Sequence, residues 1–152
     1  MEFIEFIDRT EVEIIRMIEK AGYKTAENTK LCLSGENYVG FFNSVKKEII
    51  ICTNNAKKRE GYTHLRKKNK DVFERTALHI KKALRHEAVH VAQECNNGKL
   101  LKIDRKLSMN PSKINAFNGS IRISREEEKE RQAYILEDKP RLVKNELIKY
   151  CL

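Results

Sequence analysis

Residues 72–96 read VFERTALHIKKALRHEAVHVAQECN, and this run is the one around which the rest of the chain can be arranged. Its apolar positions recur at helical spacing. Asp71 and Glu74 form a capping box ahead of it, no proline or glycine interrupts it, and Gly98 closes it. At ~1.5 Å per residue the predicted helix is roughly 37 Å long, the longest element in the chain. His86 and His90 stand four apart, about 40° apart in projection and ~6 Å along the axis, so both imidazoles can reach one ion. Zinc accepts such ligands in a tetrahedral site. Glu87, one residue after the first histidine, points beside the ion instead of at it. There it can take a proton from a water whose pKa zinc lowers to about 7. Ala83, Leu84, Ala88, Val89, Val91 and Ala92 are uncharged, as expected of a helix buried on its other sides.

Outward from this run, the N-terminal side reads as a helix and a small sheet. Asp8 to Ala21 is amphipathic, with Thr10 and Glu13 spaced as a capping box, a stripe of Val12, Ile14, Ile15 and Ile18, and a stop at Gly22. Leu31 and Leu33 alternate with polar neighbours, Tyr38 to Phe42 is aromatic and β-branched, and Glu48 to Thr53 is β-branched. These predict three short strands, mostly antiparallel. Asn54-Asn55 reads as a turn into an irregular basic stretch, Lys57 to Lys70. Beyond the central helix, residues 99–123 are mixed, with turn chemistry at Asn110-Pro111-Ser112 and Asn118-Gly119-Ser120. Ser124 and Glu127 cap a helix running to Asp138, and Pro140 opens a last one. No repeat or linker divides the chain. The expected architecture is therefore one α+β domain over residues 1–152: an N-terminal helix, a three-stranded sheet, the long helix and two C-terminal helices.

Composition removes several classes. The 152 residues are 40% hydrophobic and 35% charged with two prolines and six glycines, which excludes collagen-like, low-complexity and mostly disordered chains. No apolar run approaches the ~18–20 residues of a membrane-spanning helix, and the acidic start (Met1-Glu2-Phe3-Ile4-Glu5) is unlike a secretory leader. A soluble, cytoplasmic protein is expected. Its four cysteines, Cys32, Cys52, Cys95 and Cys151, form no CxxC pair and read as reduced thiols, with two disulfides as the less favoured arrangement.

His86-Glu87-Ala88-Val89-His90 resembles the HExxH helix of the zincin metallopeptidases, which supplies two zinc ligands and the general base. The resemblance covers about residues 72–138 and implies that His86 and His90 are ligands and Glu87 the base. Gln93 and Asn96 occupy the glycine and third-histidine positions of the metzincin pattern, and no histidine follows His90. That leaves a gluzincin-like arrangement with a downstream glutamate as third ligand. Glu130-Arg131-Gln132-Ala133 fits the ExxA form, its small residue letting two helices approach, and Glu130 is preferred over Glu127. Many relatives carry Asp or Asn four residues after that glutamate. Here it is Tyr134, either packing or steadying an oxyanion. The implied activity is hydrolysis of peptide or protein substrates, held as an added strand along Glu48 to Thr53 or Tyr38 to Phe42. A zinc-binding protein without hydrolysis is the alternative in which Glu87 would have no task.

The rival class is a nucleic-acid-binding module. Lys57, Lys58, Arg59, Arg66, Lys67 and Lys68 lie around Tyr62 and His64, a set that can meet phosphates and stack on a base. The formal net charge is +9, and residues 44–106 alone sum to +10. If that field surrounds the cleft, it favours an acidic substrate or an anionic scaffold. His79, about 10 Å along the helix from His86, is too far to share its ion.

Overall fold

The computed structural model describes residues 1–63 and 69–152. A 3-10 turn, Glu2–Phe6, leads into helix α1, Arg9–Lys20. The capping box of α1 is formed by Asp8 and Glu11, two positions before the expected pair, with the Asp8 amide donating to Glu11 at 3.1 Å. Glu13 is instead drawn to Arg9 and Lys144. Ile14, Ile15 and Ile18 are buried as read, and Gly22 breaks the helix with φ 91°.

Three strands, β1 (Lys24–Glu27), β2 (Gly40–Asn43) and β3 (Glu48–Ile51), lie in the order β1-β3-β2. β1 runs parallel to β3 and β2 antiparallel, so the sheet is mixed rather than mostly antiparallel. The strand expected at Leu31–Leu33 is a 3-10 turn, Lys30–Ser34. Its alternation serves Cys32, which is buried, while Leu31 and Leu33 remain exposed. The actual first strand, Lys-Thr-Ala-Glu, has no β signature. It is held by pairing with β3 and by the Glu27 carboxylate, which accepts from the amides of Glu2 and Phe3 and the hydroxyl of Thr53. Central β3 is buried on both faces: Ile49 and Ile51 join the main core, and Ile50 joins Cys32 and Cys52 behind it. Each such isoleucine contributes about 1.5–3 kcal/mol by burial.

Helix α2, Thr53–Glu60, occupies sequence expected to be a turn and an irregular loop. Its polar residues are spent on tertiary bonds. The Asn55 amide donates to the carbonyls of Cys32, Gly35 and Tyr38, and the Asn54 backbone amide donates to the Asn28 side chain. Helix α3, Lys70–Cys95, is the long one; Asn69, rather than Asp71, caps it through the amides of Asp71 and Val72. Residues 84–93 are buried without interruption, because α1, β2 and the two C-terminal helices pack around this part of α3. Helix α4, Ile114–Ser124, also differs from the reading, standing where turns were expected. Asn110 caps the short 3-10 turn before it and only Phe117 of α4 is buried, so apolar periodicity gives little sign of the helix. Helices α5 (Glu127–Leu136) and α6 (Pro140–Cys151) follow where two C-terminal helices were expected, but Ser124, expected to cap α5, ends α4 instead, and Glu126 stands at the N-cap. Among the described residues no helix is long and apolar enough to cross a membrane.

The cysteines correct the reading of reduced thiols. Cys32 is bonded to Cys52 and Cys95 to Cys151, with Cα separations of 5.5 and 5.2 Å. Sequence spacing concealed both pairs because each joins residues brought together only by packing: a 3-10 turn to the end of β3, and the last turn of α3 to the last turn of α6. On the chain-entropy account each bond stabilises by about 3–4 kcal/mol. Alkylation of denatured, unreduced protein is expected to label no cysteine, and reduction is expected to lower the unfolding midpoint. Labelling of all four would remove both bonds.

Candidate metal centre

Helix α3 presents His86, Glu87 and His90 to a cleft of about 390 Å³, bounded by β2 on one side and α4 and α5 on the other. All three residues are buried and close enough together to hold a metal ion. The cleft also receives Glu130 from α5. One oxygen of its carboxylate lies 3.0 Å from His86 Nε2 and the other 2.9 Å from His90 Nε2. Two imidazole nitrogens and a carboxylate converging on one buried point form a donor set that suits a divalent cation. Ala133, on the same face of α5 and fully buried, lets the two helices approach. Glu127, the other glutamate considered, is exposed and paired with Arg131.

Each histidine is fixed from behind. His86 Nδ1 faces Glu137 Oε2 at 3.0 Å, and His90 Nδ1 donates to Gln93 Oε1 at 2.9 Å. Gln93 cannot flip, because its amide nitrogen donates to the Lys129 carbonyl and to Gln132 Oε1. Gln132 in turn exchanges hydrogen bonds with the backbone of Leu101. These partners hold Nε2 of both rings toward the cleft. Glu137 stands seven residues, about two turns, beyond Glu130 on the same face of α5. Gln93 gave no sign in the sequence, since a glutamine in a buried helix has no single expected role.

Electrostatics follow from this geometry. Burial opposes charge on His86, yet hydrogen bonds to Glu130 and Glu137 override it and hold the imidazole well above its ordinary 6.5. His90 moves the same way: burial opposes the charge, and the bond to Glu130 prevails. Burial likewise opposes ionisation of Glu130, but the two histidines hold it below the usual carboxylate range. Glu87 is raised, chiefly by burial, with the histidines pulling the other way.

Strand β2 is the edge that borders the cleft, whereas β3 is paired on both sides and has no free edge. Of the two segments expected to receive an added strand, only the one ending in β2 is available. Phe42 stacks on the His90 ring with centroids 5.9 Å apart. Gly40 is closely packed: a Cβ there would lie 3.1 Å from Glu87 Oε1 and 3.2 Å from the Ala83 Cβ, so a larger residue would press on the base. Tyr134 packs edge-on against His86 at 4.4 Å, and its hydroxyl is tied to Ser120 and the Ala116 carbonyl of α4.

The other expected residues lie elsewhere. His79 bonds to Glu60 on α2. Lys57 pairs with Glu2, Lys58 with Glu36, and Arg59 is exposed on α2. Arg66, Lys67, Lys68 and His64 fall outside the described residues. The cleft lining itself contains four glutamates (Glu87, Glu94, Glu126 and Glu130) and one lysine, Lys129, which is paired with Glu126. The basic excess therefore does not line the described cleft.

Fold and site together define a small α+β protein with a buried His-Glu-His cluster able to hold a metal. The chain belongs to a family known as a domain of unknown function, DUF8637, which matches residues 3–152. No curated protein and no solved structure matches it.

Because folded His86 and His90 hold protons above 6.5, their charge stabilises the metal-free fold fully below that pH. The contribution is lost as pH rises through their raised values. Glu130, held below 4.5, contributes above that value and loses its share as pH falls. Chelator-treated protein is expected to lose thermal stability as pH rises above 6.5, and Glu130→Gln to flatten that slope. A wild-type midpoint that rises across this range would contradict the assignment.

Proposed function

We propose that the protein is a zinc metallopeptidase in which His86, His90 and Glu130 hold the metal and Glu87 is the general base. The observation that carries this reading is the convergence of both Nε2 atoms on one Glu130 carboxylate, with Glu87 beside them in an open cleft. Zinc, when bound, supplies Lewis acidity toward a carbonyl and lowers the pKa of a nearby water to about 7.

The chain's own residues do the rest. The unpaired edge of β2 holds the substrate backbone extended, its N–H and C=O groups completing the ladder on that side. The Glu87 carboxylate takes the proton of the attacking water and passes it to the leaving amine. Its burial raises its proton affinity, which suits a group that must accept and then release a proton near neutral pH. Tyr134 serves by packing on His86, since its hydroxyl is engaged on α4. The glutamates along the cleft favour substrates with neutral or basic side chains near the scissile bond over the acidic ones expected from net charge. Composition alone suggests a cytoplasmic location, but the two disulfides favour an oxidising compartment, because such bonds are rare where cellular thiols are kept reduced.

Protein purified without chelator is expected to carry one zinc per chain and to cleave members of a mixed peptide library. Glu87→Gln should keep the metal and lose on the order of 10²–10⁴-fold in kcat. His86→Ala and Glu130→Ala should lose metal and activity together. Equal turnover by Glu87→Gln and wild type would remove the peptidase reading, and absence of stoichiometric metal would remove the centre itself.

A further inference from the structure

We propose that Lys113 is a positioning residue of the metal centre, acting on His86 through Glu137; the inference rests on the ligand assignment above. Lysine is almost never buried unless paired, yet Lys113, in the 3-10 turn Pro111–Lys113 ahead of α4, is only 9% exposed. Its ammonium has three hydrogens and three acceptors: the Tyr134 carbonyl at 2.7 Å, Glu137 Oε1 at 3.0 Å, and Asp138 Oδ2. The second oxygen of Glu137 faces His86 Nδ1 at 3.0 Å. One carboxylate is thus divided between a lysine and a histidine, one oxygen to each.

Two physical demands meet at Glu137. It is the C-cap of α5, where the negative end of the helix dipole opposes a carboxylate, and it is 7% exposed. Its neighbour Asp138 adds a second negative charge. Lys113 is the cation in contact with both acids. Fixing Oε1 also fixes the plane of the carboxylate. Oε2 is then held toward Nδ1, and the His86 ring presents Nε2 to Glu130 and the ion. The lysine comes from the segment leading into α4, whose Ser120 and Ile123 line the cleft. The wall of the cleft and the orientation of a ligand are therefore set by the same residue.

A purely structural lysine would act equally through Asp138 and the Tyr134 carbonyl, and substitution separates the two roles. Zinc affinity is measured on the intact protein by competition with a chromophoric chelator, with Co2+ absorption as a second readout of ligand geometry. Glu137→Gln is expected to weaken zinc about 10–100-fold and Lys113→Met about 10-fold. Asp138→Asn should leave affinity unchanged. The double variant Lys113→Met with Glu137→Gln should bind no more weakly than Glu137→Gln alone, and Lys113→Arg should recover part of the loss. If Lys113→Met does not fold, Lys113→Gln, whose amide can still donate to the Tyr134 carbonyl, carries the same test. Wild-type affinity in a folded Lys113 variant would overturn the inference and leave the metal centre standing. So would losses that add in the double variant, or an equal loss in Asp138→Asn. A wild-type protein that takes up no zinc would overturn both.

Discussion

A single carboxylate held between two imidazoles is the constraint to which much of the fold answers. Glu130 can reach both His86 and His90 only if α5 lies close against α3, and that approach requires an alanine at 133 and an unbroken buried surface on α3. Gathering charged groups in a buried place costs several kcal/mol per ion unless each is met by an opposite charge and by hydrogen bonds. The surrounding structure meets that requirement residue by residue. Glu137 stands behind His86, Gln93 behind His90, Lys113 behind Glu137 and Gln132 behind Gln93. The two ligand histidines are steadied differently, one by a carboxylate and the other by a carboxamide. An anionic partner increases the basicity of His86, whereas a neutral one mainly fixes the ring of His90.

The elements opposite α5 serve the same centre from the other side. β3 is clamped between β1 and β2 and buried on both faces, which makes it a rigid backing for the edge strand at the cleft. β2 then rests against α3 at Gly40, where an added Cβ would crowd Glu87 and Ala83. Both disulfides reinforce this frame away from the reacting groups. Cys32–Cys52 ties the loop before β2 to the end of β3, and Cys95–Cys151 ties the end of α3 to α6. Rigid backing on both walls keeps the spacing between strand edge and base fixed while the cleft remains open.

What could be read from the sequence divides along a physical line. The long helix and its two histidines were legible because each depends on periodicity within one helix or on a spacing of four residues, and Glu130 was legible through the resemblance its ExxA pattern carries. The N-terminal helix and the order of helix, sheet and helices were legible from periodicity as well. Elements stabilised mainly by contacts distant in sequence were not. β1 is a polar run that pairs only because β3 is beside it, and α2 is anchored by asparagines that look like turn residues. α4 buries one aromatic residue and is tied through the Tyr134 hydroxyl. The disulfides, the Lys113–Glu137 contact and the Gln93–Gln132 chain belong to the same class, since each joins residues more than fifteen positions apart.

Charge shows how far a sum over sequence can mislead about a place. The excess of +9 comes from residues 44–106, the segment that carries the HExxH helix, and by sequence alone it falls on the cleft. A helix, however, turns its side chains through every direction, so charges adjacent in sequence are distributed around its surface. In the fold Lys81 pairs with Asp8, Lys82 with Asp138 and the buried Arg85 with the buried Glu11, and none of these residues lines the cleft. What faces the cleft is a set of glutamates, two of which belong to the centre itself and are balanced there by the histidines. Glu94 and Glu126 remain along the rim, the latter already paired with Lys129. Glu94 is therefore the lining carboxylate best able to act on an incoming side chain. Its sign favours a basic group, the opposite of what the net charge of the chain implies.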